Sequence, residues 1–302
     1  MSSPTPLRIG LVGGGHWARS VHAPAVAAHP DAELSAVWTR RPEVAAEIAA
    51  PFAAAVPGSF AELLHNVDAV AFAVPPAVQA GLATSAAAAG RHVICEKPLA
   101  ADVAGARAVA DAVRTAGVVS SMVLTLRHDP GVRSWLAGFP SVPAPADTTG
   151  TARWLSGSLL GGPYATSVWR AEAGNGAALD VGPHVVDLLD SALGPVTEVE
   201  WAHHHEPDLW RFGLVHAGGA RSTSVLSLRL PVDPSEIEIA AFGSTGSHVF
   251  SGRVGDATAC YAALLDEFVA AIRRTGPAPT ADATRGLRLQ EIVDEVRALA
   301  CA

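Results

Sequence analysis

The stretch that most narrows the folds open to this chain lies at its start. The largely apolar run Leu7-Arg8-Ile9-Gly10-Leu11-Val12 passes directly into Gly13-Gly14-Gly15-His16-Trp17-Ala18. The run reads as a buried strand, and the G-x-G-x-x-A spacing after it predicts a tight turn opening a helix. Each small residue has a separate purpose in such a unit. Gly13 makes the turn, Gly15 lets the backbone approach a pyrophosphate, and Ala18 lets helix and strand pack closely. The helix start offers free N–H groups and the positive end of a dipole to phosphate. Gly13, Gly15, His16, Trp17 and Ala18 are therefore the candidate dinucleotide-binding residues, with Pro75 at the end of a later strand.

The rest of the first third repeats the strand–helix alternation. Strands are expected at 33–39, 67–74, 92–95 and 118–124, and helices at 17–28, 42–50, 76–89 and 102–116. Ser59 and Glu62 have capping-box spacing and predict a short helix start. Alternation of this kind implies right-handed crossovers and a parallel sheet. The pattern then changes. Residues 139–150 are rich in proline and read as a loop, and 196–254 hold about five strand-like runs between turn residues, an antiparallel signature. Two helices, near 261–274 and 284–300, close the chain. The expected architecture is α/β followed by α+β: an N-terminal Rossmann parallel sheet over 1–123, then a domain over 124–302 with a large open, mainly antiparallel sheet.

Composition bounds the partners. The 302 residues are 49% hydrophobic and 17% charged, which fits a globular chain rather than a disordered one. A net charge of -8 argues against a phosphate-backbone binder, so no nucleic-acid partner is expected. Three scattered cysteines suggest reduced thiols, Met1–Pro6 lacks the layout of a signal peptide, and no apolar run reaches membrane-spanning length. The expectation is a cytoplasmic protein with no membrane partner. His203-His204-His205 is not expected to hold a metal, because alternate residues of a strand face opposite ways.

The second strand ends in Trp38-Thr39-Arg40-Arg41. An NAD site usually presents a carboxylate there for the ribose hydroxyls, whereas a hydroxyl and two guanidiniums suit a 2′-phosphate. NADP(H) is thus favoured over NAD(H).

Cys95-Glu96-Lys97-Pro98 stands at the carboxyl end of an expected strand, where ligands of doubly wound sheets bind. The proline confines Lys97 to extended backbone. Farther on, Asp180, His184 and Asp187 recur at spacings of four and three, one helical face. Pro183 requires His184 to lie near the helix start. Spacing alone leaves open a surface ion pair or a buried structural hydrogen bond.

Taken together, the glycine turn, "AGRHVICEKPLA", "SVWRAE", "NGAALDVGPHVVDLLDSALG" and "FGSTGS" resemble the glucose–fructose oxidoreductase, inositol 2-dehydrogenase and MocA family (Gfo/Idh/MocA) over nearly the whole chain. The resemblance implies NAD(P)-dependent redox chemistry on sugars, cyclitols or sugar nucleotides. It also implies a homodimer or homotetramer formed through the C-terminal sheet, and a cis Lys97–Pro98 peptide. Lys97 matches the family's active-site lysine, and Asp180 and His184 its acid and its histidine. On that basis Lys97 would polarise the reacting oxygen, His184 would exchange its proton, and Asp180 would orient the substrate. Glu96 would support the turn or touch the cofactor. Arg127 is a candidate for cofactor or substrate contact or for an interdomain ion pair, and Tyr164, Trp169 and Arg170 are candidate pocket walls. Gln79 stands where the family often has histidine, and Asn175 replaces a common glycine. Two rival functions keep the fold: an imine reductase, and a non-catalytic NADP-binding regulator.

Overall fold

The computed structural model describes residues 5–139, 143–172, 174–244 and 246–301. Residues 1–4, and residues 140–142 of the expected loop, lie outside that range. Two compact units make up the chain, residues 1–125 with 256–288, and residues 126–255 with 289–302.

In the first unit, β1 (Leu7–Val12) leads through the glycine turn into a π-helical turn (Ala18–His22) and α1 (Ala23–Ala28). Then follow β2 (Ala32–Trp38), α2 (Pro42–Ala49), α3 (Phe60–Asn66), β3 (Ala69–Phe72), α4 (Pro76–Ala88), β4 (His92–Cys95), α5 (Val103–Ala116) and β5 (Ser120–Met122). All five strands are parallel, in the order β2-β1-β3-β4-β5. Local chemistry sets the helix ends. The Ser59 hydroxyl accepts the Glu62 N–H, and the Glu62 carboxylate accepts the Gly58 N–H. Asp102 caps α5, and Gly117, at φ 64°, ends it in the left-handed conformation.

In the second unit come α6 (Pro130–Ala137), β6 (Thr149–Leu155), α7 (Val168–Ala171), α8 (Gly176–Asp180), α9 (Gly182–Leu193) and β7 to β11 (Val196–His205, Leu209–His216, Arg221–Ser227, Glu236–Gly243, Gly246–Ser251). The six strands run in the order β11-β10-β6-β9-β8-β7, with every pair antiparallel except β6–β9. α8 and α9 lie on one face of this sheet. The opposite face carries Thr151, Thr223, Val225 and the exposed ion pairs of Arg153 with Glu236 and Glu238 and of Arg221 with Glu200.

Two features differ from the expectation. β6 occupies the middle of the sheet although its first two residues fall in the expected loop. Its buried side is Gly150 and Ala152, too small to make a visible apolar alternation. The division is also not a single cut after residue 123. α10 (Ala257–Ile272) buries Tyr261, Leu264, Leu265 and Phe268 in the same core as Ile9, Leu11 and Val37, so it belongs to the first unit. The last helix, α11 (Ala283–Ala300), begins in the first unit and ends in the second. Among the described residues, no helix is long and apolar enough to cross a membrane.

Candidate active site

The residues singled out above fall into two groups, one in each unit. In the first unit the strand order reverses between β1 and β3, the switch point at which open α/β sheets bind ligands. The glycine turn sits there. Gly13 has φ +133°, and a Cβ on it would strike the backbone of Ala73, just past β3. A Cβ on Gly14 would meet Val44 on α2. A Cβ on Gly15 would meet nothing within 4 Å. The first two glycines are thus demanded by packing and the third faces open space, which is the room a pyrophosphate needs. Ala18 is fully buried under the turn. The donor set and the open approach fit a dinucleotide.

At the end of β2 the Thr39 hydroxyl donates to the Arg41 carbonyl at 2.6 Å and accepts the Arg41 N–H at 3.0 Å. It is spent on the local turn before α2. Arg40 and Arg41 are exposed, and among the described residues neither guanidinium has a recorded ion-pair partner.

The Lys97 turn follows β4, at the same carboxyl edge of the sheet as the glycine turn. The Lys97–Pro98 peptide is cis, as the resemblance implies. Glu96 supports the turn from within. One carboxylate oxygen accepts the Lys97 N–H at 3.2 Å, and the other is 2.9 Å from His22 Nε2. His22 Nδ1 is 3.1 Å from the Tyr261 hydroxyl. Burial holds the Tyr261 phenol well above its ordinary pKa, so it stays protonated. Burial likewise pushes the neighbouring Cys95 thiol up to about 12, with the Glu96 charge adding to it. Lys97 is the only lysine of the chain; the other 20 of its 21 Lys and Arg residues are arginine.

In the second unit the helical face predicted for Asp180 and His184 is divided. α8 ends at Asp180 and α9 starts at Gly182, so Pro183 and His184 lie in the first turn of α9, where proline is tolerated. Arg170 grips Asp180 bidentately, Nε to Oδ2 at 2.7 Å and Nη2 to Oδ1 at 3.2 Å, and its Nη1 reaches the Ser167 hydroxyl at 3.1 Å. The same guanidinium lies over the rings of Trp169 and Tyr164, at 4.2 and 4.8 Å from their centroids. The His184 ring stacks on Trp154 at 5.7 Å and 29°. Asp180, Arg170, Trp169 and Tyr164 therefore form one cluster, and His184, in the first turn of the next helix, stands against Trp154. Trp154 lies on β6, a strand outside those expected from the sequence, and carries no motif that marks it as a site residue.

Other residues are committed elsewhere. Arg127 forms a bidentate pair with Asp187 at 2.8 and 2.7 Å and reaches the Ser191 hydroxyl, all within the second unit. Asn175, where a glycine is common, donates to the Trp169 carbonyl and accepts from Arg297. The three neighbouring histidines are spent singly: His204 stacks on Trp210, His205 meets Arg211, and His203 lies by Trp201. Among the described residues there is no group of His, Cys, Asp or Glu fit to hold a metal.

Residues 7–124 match the oxidoreductase family GFO_IDH_MocA, with an NAD-binding Rossmann fold. Among characterised proteins, the chain is 34% identical over 201 residues to a dTDP-3,4-didehydro-2,6-dideoxy-alpha-D-glucose 3-reductase of Streptomyces violaceoruber, covering 65% of this chain and 57% of that protein. It is 29% identical over 211 residues to levoglucosan dehydrogenase of Pseudarthrobacter phenanthrenivorans, covering 64% and 53%. The matched regions thus span little more than half the length of these relatives. Among solved structures, WlbA dehydrogenase from Bordetella pertussis, in complex with NADH and UDP-GlcNAcA, superimposes with a TM-score of 0.83 at 24% identity over 98% of this chain and 97% of that one. GenD2 from gentamicin A biosynthesis, in complex with NAD, gives 0.86 at 22% over 100% and 96%. These two likenesses are of fold.

Proposed function

We propose, from the match of residues 7–124 to the Gfo/Idh/MocA oxidoreductase family with its NAD-binding Rossmann fold, that the chain transfers hydride between NADP(H) and a carbonyl or secondary alcohol of a sugar or sugar nucleotide. The observation that carries the proposal is the placement of the sole lysine. A chain that uses arginine at every other strongly basic position keeps one lysine, on the turn after β4 at the ligand-binding edge of the sheet. Arginine cannot be deprotonated and spreads its charge over a planar fork; an ammonium is a compact donor whose pKa can be tuned. That is the property needed to polarise a carbonyl or hold an alkoxide.

A bound nicotinamide supplies the hydride. The residues that would hold the dinucleotide are the backbone of Gly13 to Trp17, with Ala18 keeping the helix close, Pro75 at the start of α4, and Arg40 and Arg41. Of the β2 terminus, the two arginines rather than Thr39 carry the preference for a 2′-phosphate, since the Thr39 hydroxyl is already bonded at both ends. His184 takes or gives the hydroxyl proton, and Asp180, oriented by Arg170, binds the substrate. Trp169 and Tyr164 offer the flat faces that sugars stack on. Arg127 acts on substrate only through Asp187, to which it is bonded. The reading of Glu96 is support of the turn rather than cofactor contact, since both carboxylate oxygens have protein partners. Self-association uses the face of the second sheet opposite α8 and α9.

The test is turnover with NADPH and NADH against a panel of keto-sugars and sugar nucleotides. Lys97→Ala and His184→Ala should each lose about 10²–10⁴-fold in kcat, with NADPH still bound by tryptophan fluorescence. A His184→Ala protein with native kcat would remove the role given to His184. Arg40→Ala should weaken NADPH binding far more than NADH binding, and equal dissociation constants in the unmodified protein would remove the NADP preference. Cofactor binding without turnover of any panel member would favour a regulator.

A further inference from the structure

Gln79 lies on α4 and is fully buried. Its amide is spent entirely on the Lys97 turn. Nε2 donates to the carbonyls of Glu96 at 2.7 Å, Leu99 at 3.0 Å and Pro98 at 3.2 Å, and Oε1 accepts the Glu96 N–H at 2.8 Å. These bonds reach the backbone immediately before and immediately after Lys97. A turn leaving a strand has lost its ladder partners, and its buried carbonyls must be satisfied by something else. Here one side chain serves three of them, its two amide hydrogens divided among the three carbonyls with one shared, together with one N–H.

We propose that Gln79 is a positioning residue for Lys97: the amide clamps the backbone on both sides of the lysine and so fixes where its ammonium can reach. The consequence for the chemistry rests on the reading of Lys97 as an active-site group; the clamp itself does not. An amide suits the task because it presents donors and an acceptor together at every pH. A histidine at the same place would carry one donor and one acceptor when neutral, and would lose the acceptor on protonation. The other support of the turn, the His22–Glu96 contact, reaches it from the opposite chain neighbourhood and does not touch the carbonyls that Gln79 holds.

The sole lysine makes the clamp measurable without a substrate. Trinitrobenzenesulfonate labelling, read by mass spectrometry on the peptide bearing Lys97, reports the exposure of that one ammonium. Gln79→Glu removes the donors and sets a carboxylate against three carbonyl oxygens. Gln79→Met keeps the volume and removes all four bonds. Each should raise the Lys97 labelling rate about tenfold, as expected when several hydrogen bonds holding a turn are lost together, while NADPH binding changes little. For Gln79→Glu the ratio to the unmodified protein should fall again toward acid, because a protonated carboxyl regains one donor. On a substrate that is turned over, kcat should drop by up to about 10²-fold, the cost of a small displacement of a reacting group, with KM less affected.

A third arm uses the unmodified protein and depends on no variant folding. The Glu96 amide, bonded to Gln79, should exchange its hydrogen as slowly as the amides of β4. Labelling of Lys97 within twofold of native in a folded variant (a threshold set well inside the expected change), or open-loop exchange at Glu96, would overturn the clamp. A failed clamp and a failed reading of Lys97 are told apart by Lys97→Ala. If that protein keeps its turnover, the catalytic reading falls whatever the labelling shows.

Discussion

Arg170 holds both oxygens of Asp180 in one planar fork, while its own guanidinium is covered by Trp169 and Tyr164. A carboxylate gripped in this way has a fixed plane, and its remaining lone pairs point in set directions. Arg170→Lys keeps the charge but cannot rebuild the fork or the stacking. Loss of one charge-assisted bond, about 1.5–3 kcal/mol, predicts a fall in kcat/KM of roughly 10- to 100-fold with the protein still folded. Initial rates together with circular dichroism decide this; unchanged rates would mean that the Asp180 plane is held by other contacts.

Gly176 opens α8 with φ +42°, and a Cβ there would collide with the Asp208 carboxylate. Asp208 is buried and accepts the N–H groups of Ala177 and Leu228 and the Trp210 indole N–H. It thus caps a helix and ties it to the sheet at once. Gly176→Ala should cost roughly 2–4 kcal/mol, from backbone strain plus a displaced buried acceptor. Urea denaturation measures it, and a cost below about 0.5 kcal/mol, the size of an ordinary surface substitution, would contradict the packing argument.

How much of this could be read in advance depends on the range of the interaction. The glycine turn, the Ser59 and Asp102 caps and the position of Pro183 are local, and each stands where its residues place it. The pairing of Arg127 with Asp187, 60 residues apart, leaves no mark on the sequence near either residue. Nor does the attachment of α10 to the first core, which depends on Tyr261 and Phe268 meeting residues more than 200 positions earlier. Gln79 could be noticed only as a departure, because its four partners are backbone atoms and carry no side-chain signature. Thr39 shows the opposite failing: the residue type was suited to a ligand, but a turn two residues long had already taken the hydroxyl.

Acid should destabilise the second unit through His128. Burial first, then the charges of Arg133 and Arg127, depress its pKa to about 4, with Asp187 opposing. The folded pKa lies below the unfolded value near 6.5, so the unfolded chain takes up the proton first as pH falls. The stabilisation is complete above about pH 6.5 and is lost progressively down to about pH 4, to a total on the order of 3 kcal/mol. His216, also depressed by burial, adds in the same direction in the second unit, and His92 does the same in the first. Melting temperatures between pH 8 and 4.5 should decline, and His128→Asn should flatten that decline; an identical slope in the variant would assign the acid sensitivity to other groups.

The thiols should divide one against two. Cys301 is exposed, whereas Cys95 and Cys260 are buried. The Cys95 pKa of about 12 leaves essentially no thiolate at neutral pH. Ellman's reagent should therefore titrate one thiol rapidly in the native protein and all three in guanidinium. Rapid native reaction of a second thiol would show that either β4, at Cys95, or α10, at Cys260, opens, and peptide mapping would tell which.

The π-helical turn between Ala18 and His22 places an i to i+5 bond, Ala23 N–H to Ala18 carbonyl, just past the glycine turn. One end of this short segment is anchored by the turn at Gly13–Gly15, and the other by the His22 ring against Glu96 and Tyr261. Its residue count is therefore constrained from both ends. Adding or removing a single residue would rotate His22 by about 100° around the helix axis and carry its ring away from Glu96. Between these two anchors the chain can accept a change of side chain far more readily than a change of length.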